Sequence, residues 1–386
     1  MPIYLDHNAG APVRPEVRAA ISAMLASDVG NPSSVHRSGQ AARRLLEQAR
    51  SKVSTLIDAA PAQIVFCSGG TEANNFAIEG AVQARNGRRR IITSAIEHSS
   101  ILKVLAHLEC QGFEIVRVAP DREGRLNPAA LAALIDQDTA LVTLGLANSE
   151  VGTIQDLAPL AAPTRSAGAV FHVDAAQAAG RIAMDVSQLG CDLMTISGHK
   201  LGAPAGIGAL FIRDPSVVAP LILGGPQERG LRAGTPNLIG AVGFGMAAEV
   251  ARERLGEETA MMGMLRDALL DGLNAAIPGL TINSPRTGVL ANTLNLCFPG
   301  VLGETMLIAL DLEGVQVSMG SACAAGAVEA SHVLIAMGHS ANAARSSLRI
   351  SLGYSSTLRE VNEACAIIAA VWRRAVVNKE SAVAAP

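Results

Sequence analysis

Residues 192–200 read Asp-Leu-Met-Thr-Ile-Ser-Gly-His-Lys, an apolar strand pattern that ends in small and polar residues before Lys200. An earlier run, Ala169–Val173, has the same character and is followed by Asp174. Short continuous apolar runs are typical of strands buried on both faces of a sheet. A lysine and an aspartate after neighbouring buried strands suit pyridoxal 5'-phosphate, because the amine forms a Schiff base and the carboxylate pairs with the pyridinium nitrogen.

Between about residues 60 and 215, short apolar runs alternate with stretches that carry apolar residues at helical spacing. This alternation predicts an α/β fold with an open, mostly parallel seven-stranded sheet between helices. Ligands of such sheets bind outside the carboxyl ends of the strands, where the polar ends of these runs fall. Residues 198–208 are too few for a crossover helix, so we expect the strand near Leu210 to be antiparallel to its neighbour. The seven runs begin at Ile64, Ile91, Phe113, Leu141, Val170, Leu193 and Ala209.

The pattern changes after Pro236, where a long helical periodicity runs through residues 241–273. Beyond it come three shorter strand patterns, at residues 293–298, 315–318 and 347–351. Strands and helices in this order predict a second, smaller α+β domain. We expect residues 14–257 to form the large cofactor-binding domain, and residues 1–13 together with 258–386 to form the small domain.

Composition excludes several classes of protein. The 386 residues are 49% hydrophobic and 17% charged, which indicates a globular chain, and a net charge of -3 argues against a nucleic-acid partner. The six cysteines contain no CxxC pair, so we expect neither a disulfide framework nor a metal site. No basic stretch precedes an apolar segment at the N-terminus, and no apolar run approaches the ~18 residues that span a bilayer. We therefore expect a soluble, cytoplasmic protein without a membrane partner.

A glycine-rich turn follows the first of the seven strands. Residues 67–75 read Cys-Ser-Gly-Gly-Thr-Glu-Ala-Asn-Asn and open a helix. Glycine lets the backbone approach a ligand closely, and the N–H groups at a helix start favour an anion. Such a turn alone is weak evidence, and no Lys-Ser or Lys-Thr follows at the spacing of a nucleotide P-loop. Together with Ser197 and His199, Gly70 and Thr71 predict a three-sided phosphate site.

Three polar residues lie where they could contact the ring of the cofactor. Asp174 has two interpretations: it caps the next helix, or it keeps a pyridinium nitrogen protonated. Gln177 lies one helical turn later and could reach the ring hydroxyl. A lone histidine is more often structural than catalytic, but His98 follows the strand at Ile91 over the same sheet edge. That position favours stacking on the ring and proton transfer.

Two residues in the C-terminal third suit substrate chemistry. Cys323 lies among glycine, serine and alanine residues without a bulky side chain to anchor it. A thiol on an accessible loop suits a nucleophile, whereas the other cysteines fit the pattern of small core residues. Arg349 lies within a strand pattern and has two equally supported interpretations. It binds the α-carboxylate of an amino acid, or it is an edge-strand arginine that faces water.

Taken together, these motifs resemble the class V aminotransferase-like, fold-type I pyridoxal phosphate enzymes, and within them the cysteine desulfurases of the NifS/IscS group. The likeness extends over nearly the whole chain, in segments 4–9, 30–36, 68–72, 97–98, 172–177, 197–200, 228–235, 320–323 and 347–349. The Ser-Ala-Cys segment that ends at Cys323 is similar to the NifS/IscS branch. In the SufS branch, the cysteine follows an Arg-x-Gly-His-His sequence.

The resemblance implies a role for each candidate residue. Lys200, Cys323 and His98 would be catalytic, and Arg349 would bind the substrate carboxylate. The implied cofactor-binding residues are Gly70, Thr71, His98, Ser149, Asp174, Gln177, Ser197, His199, Lys200 and Thr235. Of these, Thr235 would reach the phosphate in the neighbouring subunit of a homodimer. One departure is Asn148-Ser149-Glu150, where the family has Asn-Asn-Glu. Gln177 or a water would therefore hydrogen-bond the ring oxygen of the cofactor in place of the second asparagine.

The implied reaction is the desulfurization of L-cysteine. Lys200 would remove the α-proton, and Cys323 would attack the substrate sulfur, which yields alanine and a persulfide on Cys323. An iron–sulfur scaffold or another sulfur-acceptor protein would then receive the sulfur. The alternatives are a selenocysteine lyase or a small-amino-acid transaminase of the same fold, and a catalytically silent paralogue that acts as a binding partner in sulfur trafficking.

Overall fold

The computed structural model describes residues 2–85, 87–320 and 330–384. The strands of these residues are β1 (Ile3–Tyr4), β2 (Ile64–Cys67), β3 (Arg90–Ser94), β4 (Glu114–Val118), β5 (Thr139–Gly145), β6 (Val170–Asp174), β7 (Leu193–Ser197), β8 (Gly208–Ile212), β9 (Thr281–Ile282), β10 (Thr293–Cys297), β11 (Val315–Gln316) and β12 (Ser347–Ser351). The helices are α1 (Pro15–Leu25), α2 (Arg37–Leu56), α3 (Gly70–Ala84), α4 (Ser99–Cys110), α5 (Pro128–Ala132), α6 (Ala161–Ser166), α7 (Val186–Leu189), α8 (Leu238–Glu253), α9 (Leu255–Ala276), α10 (Gly303–Leu312), α11 (His332–Ala336), α12 (Ala341–Arg345) and α13 (Leu358–Ala384). None of these helices combines the length and apolar character needed to cross a membrane.

The central sheet has seven strands in the order β2-β8-β7-β6-β5-β3-β4. Strand β8 is antiparallel to both of its neighbours, and the other pairs of the sheet are parallel. The predicted mostly parallel seven-stranded sheet is therefore confirmed, as is the antiparallel strand near Leu210. Because β8 alone runs the other way, the carboxyl ends of β2, β3, β5, β6 and β7 meet at one edge of the sheet.

Both faces of this sheet are buried. On strand β2, Val65 packs in one hydrophobic core with helices α3 and α4, and the next residue, Phe66, packs in the opposite core with α2 and α8. Adjacent residues of a strand point to opposite faces, so a strand covered on both sides has to be apolar throughout. That requirement explains the unbroken apolar runs in the sequence.

A separate core lies under the C-terminal third of the chain. Strands β12, β10 and β9 form an antiparallel sheet, and β1 pairs in parallel with β11. The core beneath them joins Ile3 and Leu5 to residues between Met262 and Val371. The domain limits 14–257, and 1–13 with 258–386, stay a prediction, which this distribution of buried residues supports.

The helical pattern of residues 241–273 is confirmed, and in the structure it is divided between two helices. Helix α8 ends at Glu253 and α9 begins at Leu255. The cause is tertiary: Phe244 of α8 is buried in the core of the large sheet, whereas Leu265 of α9 is buried in the core of the C-terminal third. The chain has to change direction between two cores that its hydrophobic periodicity does not distinguish.

Candidate active site

A cavity of about 420 Å³ lies at the sheet edge where the strand ends meet. Its volume is in the range of pockets that enclose small molecules and cofactors. The cavity brings together most of the residues predicted from the sequence. They are Gly70, Thr71, His98, Ser149, Asp174, Gln177, Ser197, His199, Lys200 and Arg349.

Lys200 ends a short 3-10 turn that follows strand β7. Its Nζ donates hydrogen bonds to the carbonyl oxygen of Ala9, at 2.9 Å, and to that of Asn8. The N-terminal segment therefore forms the cavity wall next to the amine. The sequence gives no signal for this contact, because almost two hundred residues separate the partners.

Asp174 ends strand β6 and is buried at the base of the cavity. Its Oδ1 accepts from the backbone N–H of Ala176 at 2.9 Å, and its Oδ2 accepts from Nδ2 of Asn74 at 2.8 Å. Both donors are neutral, so they do not balance the negative charge of the buried Asp174 carboxylate. This carboxylate is therefore suited to pair with a cationic ring nitrogen of a cofactor. The helix-capping interpretation is wrong, because residues 176–180 form a turn and the next helix, α7, begins at Val186.

The start of helix α3 and the turn after β7 form one side of the cavity. Gly70 opens the helix, and a Cβ at this position would lie 3.3 Å from Cβ of Ser197. The Ser197 hydroxyl is hydrogen-bonded to Nδ1 of His199 at 3.0 Å. Burial, reinforced by the nearby charge of Lys200, lowers the pKa of His199 to about 4, so its ring is neutral at neutral pH. N–H groups at the helix start and these two polar side chains fit a phosphate group.

His98 precedes helix α4 and caps it. Its Nδ1 lies 3.1 Å from the backbone nitrogen of Ser100 and 2.7 Å from the hydroxyl of the same residue. Burial lowers the pKa of His98, although the charge of Asp174 opposes this change. The ring therefore serves the structure as a cap and still lines the cavity.

Arg349 lies in strand β12 and is only 1% exposed. One of its two interpretations, an edge-strand arginine that faces water, is therefore wrong. Its Nη2 donates to Oδ1 of Asp6 at 2.7 Å, and its Nη1 donates to the carbonyl oxygen of Ser149 at 3.3 Å. Asp6 neutralises the buried guanidinium, and the sequence did not reveal this pairing.

Ser149 and Gln177, which the resemblance assigns to the cofactor, both line the cavity. The carbonyl of Ser149 accepts from Arg349 and from Nδ2 of Asn8, and its side chain lines the cavity. Nε2 of Gln177 donates to the carbonyl of Asn8 at 3.0 Å, while its Oε1 accepts from Arg181. These bonds orient the Gln177 amide, and the bond to Asn8 uses one of the two hydrogens of Nε2. Contact between Gln177 and the cofactor stays a prediction.

Two of the predicted residues are not among the described residues of the cavity. Cys323 falls in residues 321–329, outside the residues that the structure describes. Thr235 is exposed and does not line the cavity of its own chain. Contact of Thr235 with a second subunit stays a prediction.

Three further residues line the cavity without having been predicted as site residues: Asn74, Glu97 and His332. Glu97 and His332 line the cavity, and Nε2 of His332 lies 3.0 Å from the carbonyl oxygen of Glu97. A carbonyl only accepts, so Nε2 of His332 donates. Glu97 precedes His98 and could have been noticed for that reason. His332 and Asn74 carry no comparable signal, since only the fold brings them to this edge.

Glu97 is a buried acid, 4% exposed, whose Oε1 accepts from the hydroxyl of Ser94 at 2.5 Å and whose Oε2 accepts from the backbone of Gly145 at 2.8 Å. Burial, together with the charge of Asp174, raises the pKa of Glu97 from 4.5 to about 8. In the unfolded chain this carboxyl ionises near its ordinary pKa. Between the two values the folded state retains a proton that the unfolded state has lost.

We therefore expect the free energy of unfolding to fall as the pH rises from about 4.5 to about 8, and this contribution to level off above that range. The full change is a few kcal/mol, since one pKa unit is worth about 1.4 kcal/mol. Thermal melting of the Glu97→Gln variant checks this, because the amide cannot ionise. The melting temperature of the variant, relative to that of the wild type, should be higher at about pH 8 than at about pH 5.

The matched control for this measurement is Glu257→Gln, which changes an exposed glutamate in helix α9. Its melting temperature should follow that of the wild type at both pH values. Equal pH dependence in the Glu97 and Glu257 variants would contradict the assignment of a neutral Glu97 in the folded protein.

A family model described as aminotransferase class-V matches residues 3–363. The chain belongs to the class-V aminotransferase family. It is 41% identical to the cysteine desulfurase IscS of Dictyoglomus turgidum over 361 residues, which cover 93% of this chain and 92% of the relative. It is 39% identical to the IscS-like cysteine desulfurase of Mycobacterium tuberculosis over 382 residues, which cover 96% of each chain.

Solved structures of class-V relatives have the same fold. One described as a NifS-like protein has a TM-score of 0.91 and 35% identity, and the match covers 97% of this chain and all of the other. One described as SspA in complex with cysteine has a TM-score of 0.80 and 32% identity, over 92% of this chain and 99% of the other. These matches confirm the predicted fold class and the resemblance to the NifS/IscS group. The names of the relatives support a cysteine desulfurase function.

Proposed function

We propose that this class-V protein is a cysteine desulfurase that uses pyridoxal 5'-phosphate to transfer sulfur from L-cysteine to Cys323. The observation that carries the proposal is the convergence of Lys200, Asp174 and Arg349 on one cavity. An amine, a buried carboxylate and a buried guanidinium match the aldehyde and ring nitrogen of the cofactor and the carboxylate of an amino acid. Relatives named cysteine desulfurase, similar over more than nine-tenths of the chain, support it.

The residues of the cavity fit the cofactor. Asp174 would pair with the ring nitrogen, His98 would stack on the ring, and Lys200 would hold the aldehyde carbon covalently. The phosphate would lie between the start of helix α3 and the turn after β7, among Gly70, Thr71, Ser197 and His199. When bound, pyridoxal phosphate supplies an electron sink for the electrons that remain when the α-proton of the substrate leaves.

Within this arrangement each side chain has a defined task. Arg349 orients the substrate through its carboxylate, and Nζ of Lys200 takes the α-proton. The thiolate of Cys323 attacks the sulfur of the substrate. The carbon–sulfur bond of cysteine breaks, a sulfur–sulfur bond forms on Cys323, and the freed carbon becomes the methyl group of alanine. One cysteine and one enzyme thiol thus give one alanine and one persulfide, so atoms and electrons balance.

The partners of this reaction are also proposals. Exposed Thr235 would complete the phosphate site of a second copy, which makes the working unit a homodimer. The persulfide on Cys323 would pass to an acceptor protein, of which an iron–sulfur scaffold is our first choice. We place this activity in the cytoplasm, where a reducing environment keeps free thiols reduced.

The test is to incubate the cofactor-loaded protein with L-cysteine and a thiol reductant. We expect sulfide and alanine in equal amounts. Preferred turnover of L-selenocysteine would identify a selenocysteine lyase, and conversion of alanine with a keto acid without sulfide would identify a transaminase. A protein without a borohydride-sensitive absorbance band would be the catalytically silent paralogue. Each of these three outcomes would refute the desulfurase proposal.

The role of Arg349 predicts a loss of substrate affinity in the Arg349→Lys variant. Lysine keeps the charge that balances Asp6 but cannot form two parallel hydrogen bonds to a carboxylate. We expect the KM for L-cysteine to rise by about tenfold or more, the equivalent of one charge-assisted hydrogen bond. Steady-state kinetics measure this, and a cofactor titration serves as the control, because cofactor affinity should not change. An unchanged KM would remove Arg349 from the substrate site.

A further inference from the structure

Asn74 connects Asp174 with Ser100, two residues that line the cavity. It lies in helix α3, is 1% exposed, and donates from the same nitrogen, Nδ2, to Oδ2 of Asp174 and to Oγ of Ser100, each at 2.8 Å. A carboxylate oxygen only accepts, so the amide orientation is fixed by chemistry: Nδ2 faces Asp174. Both hydrogens of Nδ2 are thereby used.

The second half of the connection runs from Ser100 to His98. The backbone N–H of Ser100 lies against Nδ1 of His98 at 3.1 Å, and a backbone N–H can only donate. Nδ1 is therefore an acceptor and carries no proton. The hydroxyl oxygen of Ser100 already accepts from Asn74, so its own hydrogen points to Nδ1, 2.7 Å away. The neutral ring then has its proton on Nε2.

We propose that Asn74 and Ser100 are positioning residues that join Asp174 to His98 in one continuous chain of hydrogen bonds, in which Asn74 donates to both sides. The chain holds His98 as the Nε2–H tautomer and opposes protonation of its Nδ1, since a proton there would displace two donors from Ser100. It also holds Asp174 as an acceptor. For the proposed desulfurase, on which this consequence rests, His98 exchanges protons with the cavity through Nε2 alone.

Other groups around His98 change its pKa, but they do not determine which ring nitrogen carries the proton of the neutral ring. Asp174 favours the protonated ring, whereas burial and the nearby Lys200 and His332 disfavour it. These are the titratable neighbours of His98 at the ends of β6 and β7 and in α11. The tautomer follows from the two donors that Ser100 places at Nδ1.

The test is nitrogen NMR of the full-length protein labelled with ¹⁵N-histidine, without cofactor, as a function of pH. The chain has eight histidines, and a His98→Asn variant assigns the signals of His98. In the wild type we expect the chemical shifts of an Nε2–H ring. A protonated Nδ1 in the neutral ring would overturn the proposal without any variant.

Variants of Ser100 then test whether its hydroxyl, and not a general change in the structure, lowers the pKa of His98. In Ser100→Ala, Nδ1 loses one of its two donors, so we expect the pKa of His98 to rise by about one unit, a tenfold gain in proton affinity. Ser100→Thr keeps the hydroxyl and should restore the wild-type pKa. Ser99→Ala, a change at the adjacent serine of α4, is the matched control and should leave the pKa unchanged. The same titration curve in the Ser99 and Ser100 variants would overturn the proposal.

A second pair of variants tests Asn74. Replacing Asn74 with leucine removes the donor to both Asp174 and Ser100, so the pKa of His98 should rise in the same direction as in Ser100→Ala. The control is Asn75→Leu. Asn75 donates to the carbonyl of Thr71 and takes no part in the hydrogen bonds between Asp174 and His98. A His98 pKa that is equal in both leucine variants would contradict the role of Asn74. These measurements need neither cofactor nor turnover, so their failure is distinct from failure of the desulfurase assay.

Discussion

Replacing Lys200 with alanine lowers turnover of L-cysteine by at least about a thousandfold, the expected loss when a nucleophile and general base are removed together. Nζ of Lys200 is the amine that the fold places in the cavity with Asp174 and Arg349. No other lysine lines that cavity within the described residues, so a neighbouring amine cannot replace it.

The measurement for Lys200 combines activity with covalent labelling. Borohydride treatment of the cofactor-loaded wild type, followed by peptide mass spectrometry, should place the cofactor on Lys200. The alanine variant should carry no such label. Lys103→Ala is the control, because Lys103 is exposed on helix α4 and its loss should change neither label nor rate. A cofactor label on another lysine with full activity would disprove the assignment on which the proposed function depends.

Replacing Cys323 with alanine separates cofactor binding from sulfur transfer. The variant should keep the yellow cofactor, because the cavity residues that hold it are unchanged. Sulfide release should fall by at least about a thousandfold, since the thiol that attacks the substrate sulfur is gone. Cys323 lies outside the described residues, so this prediction depends on the sequence and not on a measured distance.

Mass spectrometry after a single turnover should find one added sulfur atom on Cys323 of the wild type and none on the variant. Cys110→Ala is the matched control, since Cys110 is an exposed cysteine in helix α4. It should retain the wild-type rate and the persulfide. Undiminished cysteine-dependent sulfide release by Cys323→Ala would refute the nucleophile assignment while leaving the cofactor site intact.

Local sequence predicted the central sheet well because its strands, apart from the partly exposed edge strand β4, are buried on both faces and therefore mostly apolar. The prediction was weaker where the partner of a segment lies far along the chain. The periodicity of residues 241–273 is helical throughout, yet the helix ends at Glu253 because its two halves pack in different cores. Similarly, the sequence does not distinguish Arg349 from an exposed arginine, because its burial and its pairing with Asp6 depend on distant segments.

The residues of the candidate site also divide into those that the sequence could predict and those that only the fold reveals. Asp174, Ser197 and Lys200 could be recognised because a polar residue after a buried strand has a known position at the sheet edge. Asn74 and His332 could not, since a buried asparagine and a histidine in a helix have many structural uses. The hydrogen-bond chain through Asn74 and Ser100 exists only because helices α3 and α4 pack side by side above the ends of β3 and β6.

The sequence by itself determined the class of fold, the edge of the sheet that binds a ligand, and the resemblance to NifS/IscS cysteine desulfurases. Each depends on residue type and spacing, which are local properties. The tertiary structure decided which side chains contact Lys200, Asp174 and Arg349, that Asp6 neutralises Arg349, and which nitrogen of His98 accepts. These depend on contacts between distant segments, whose geometry is fixed only when the whole chain packs.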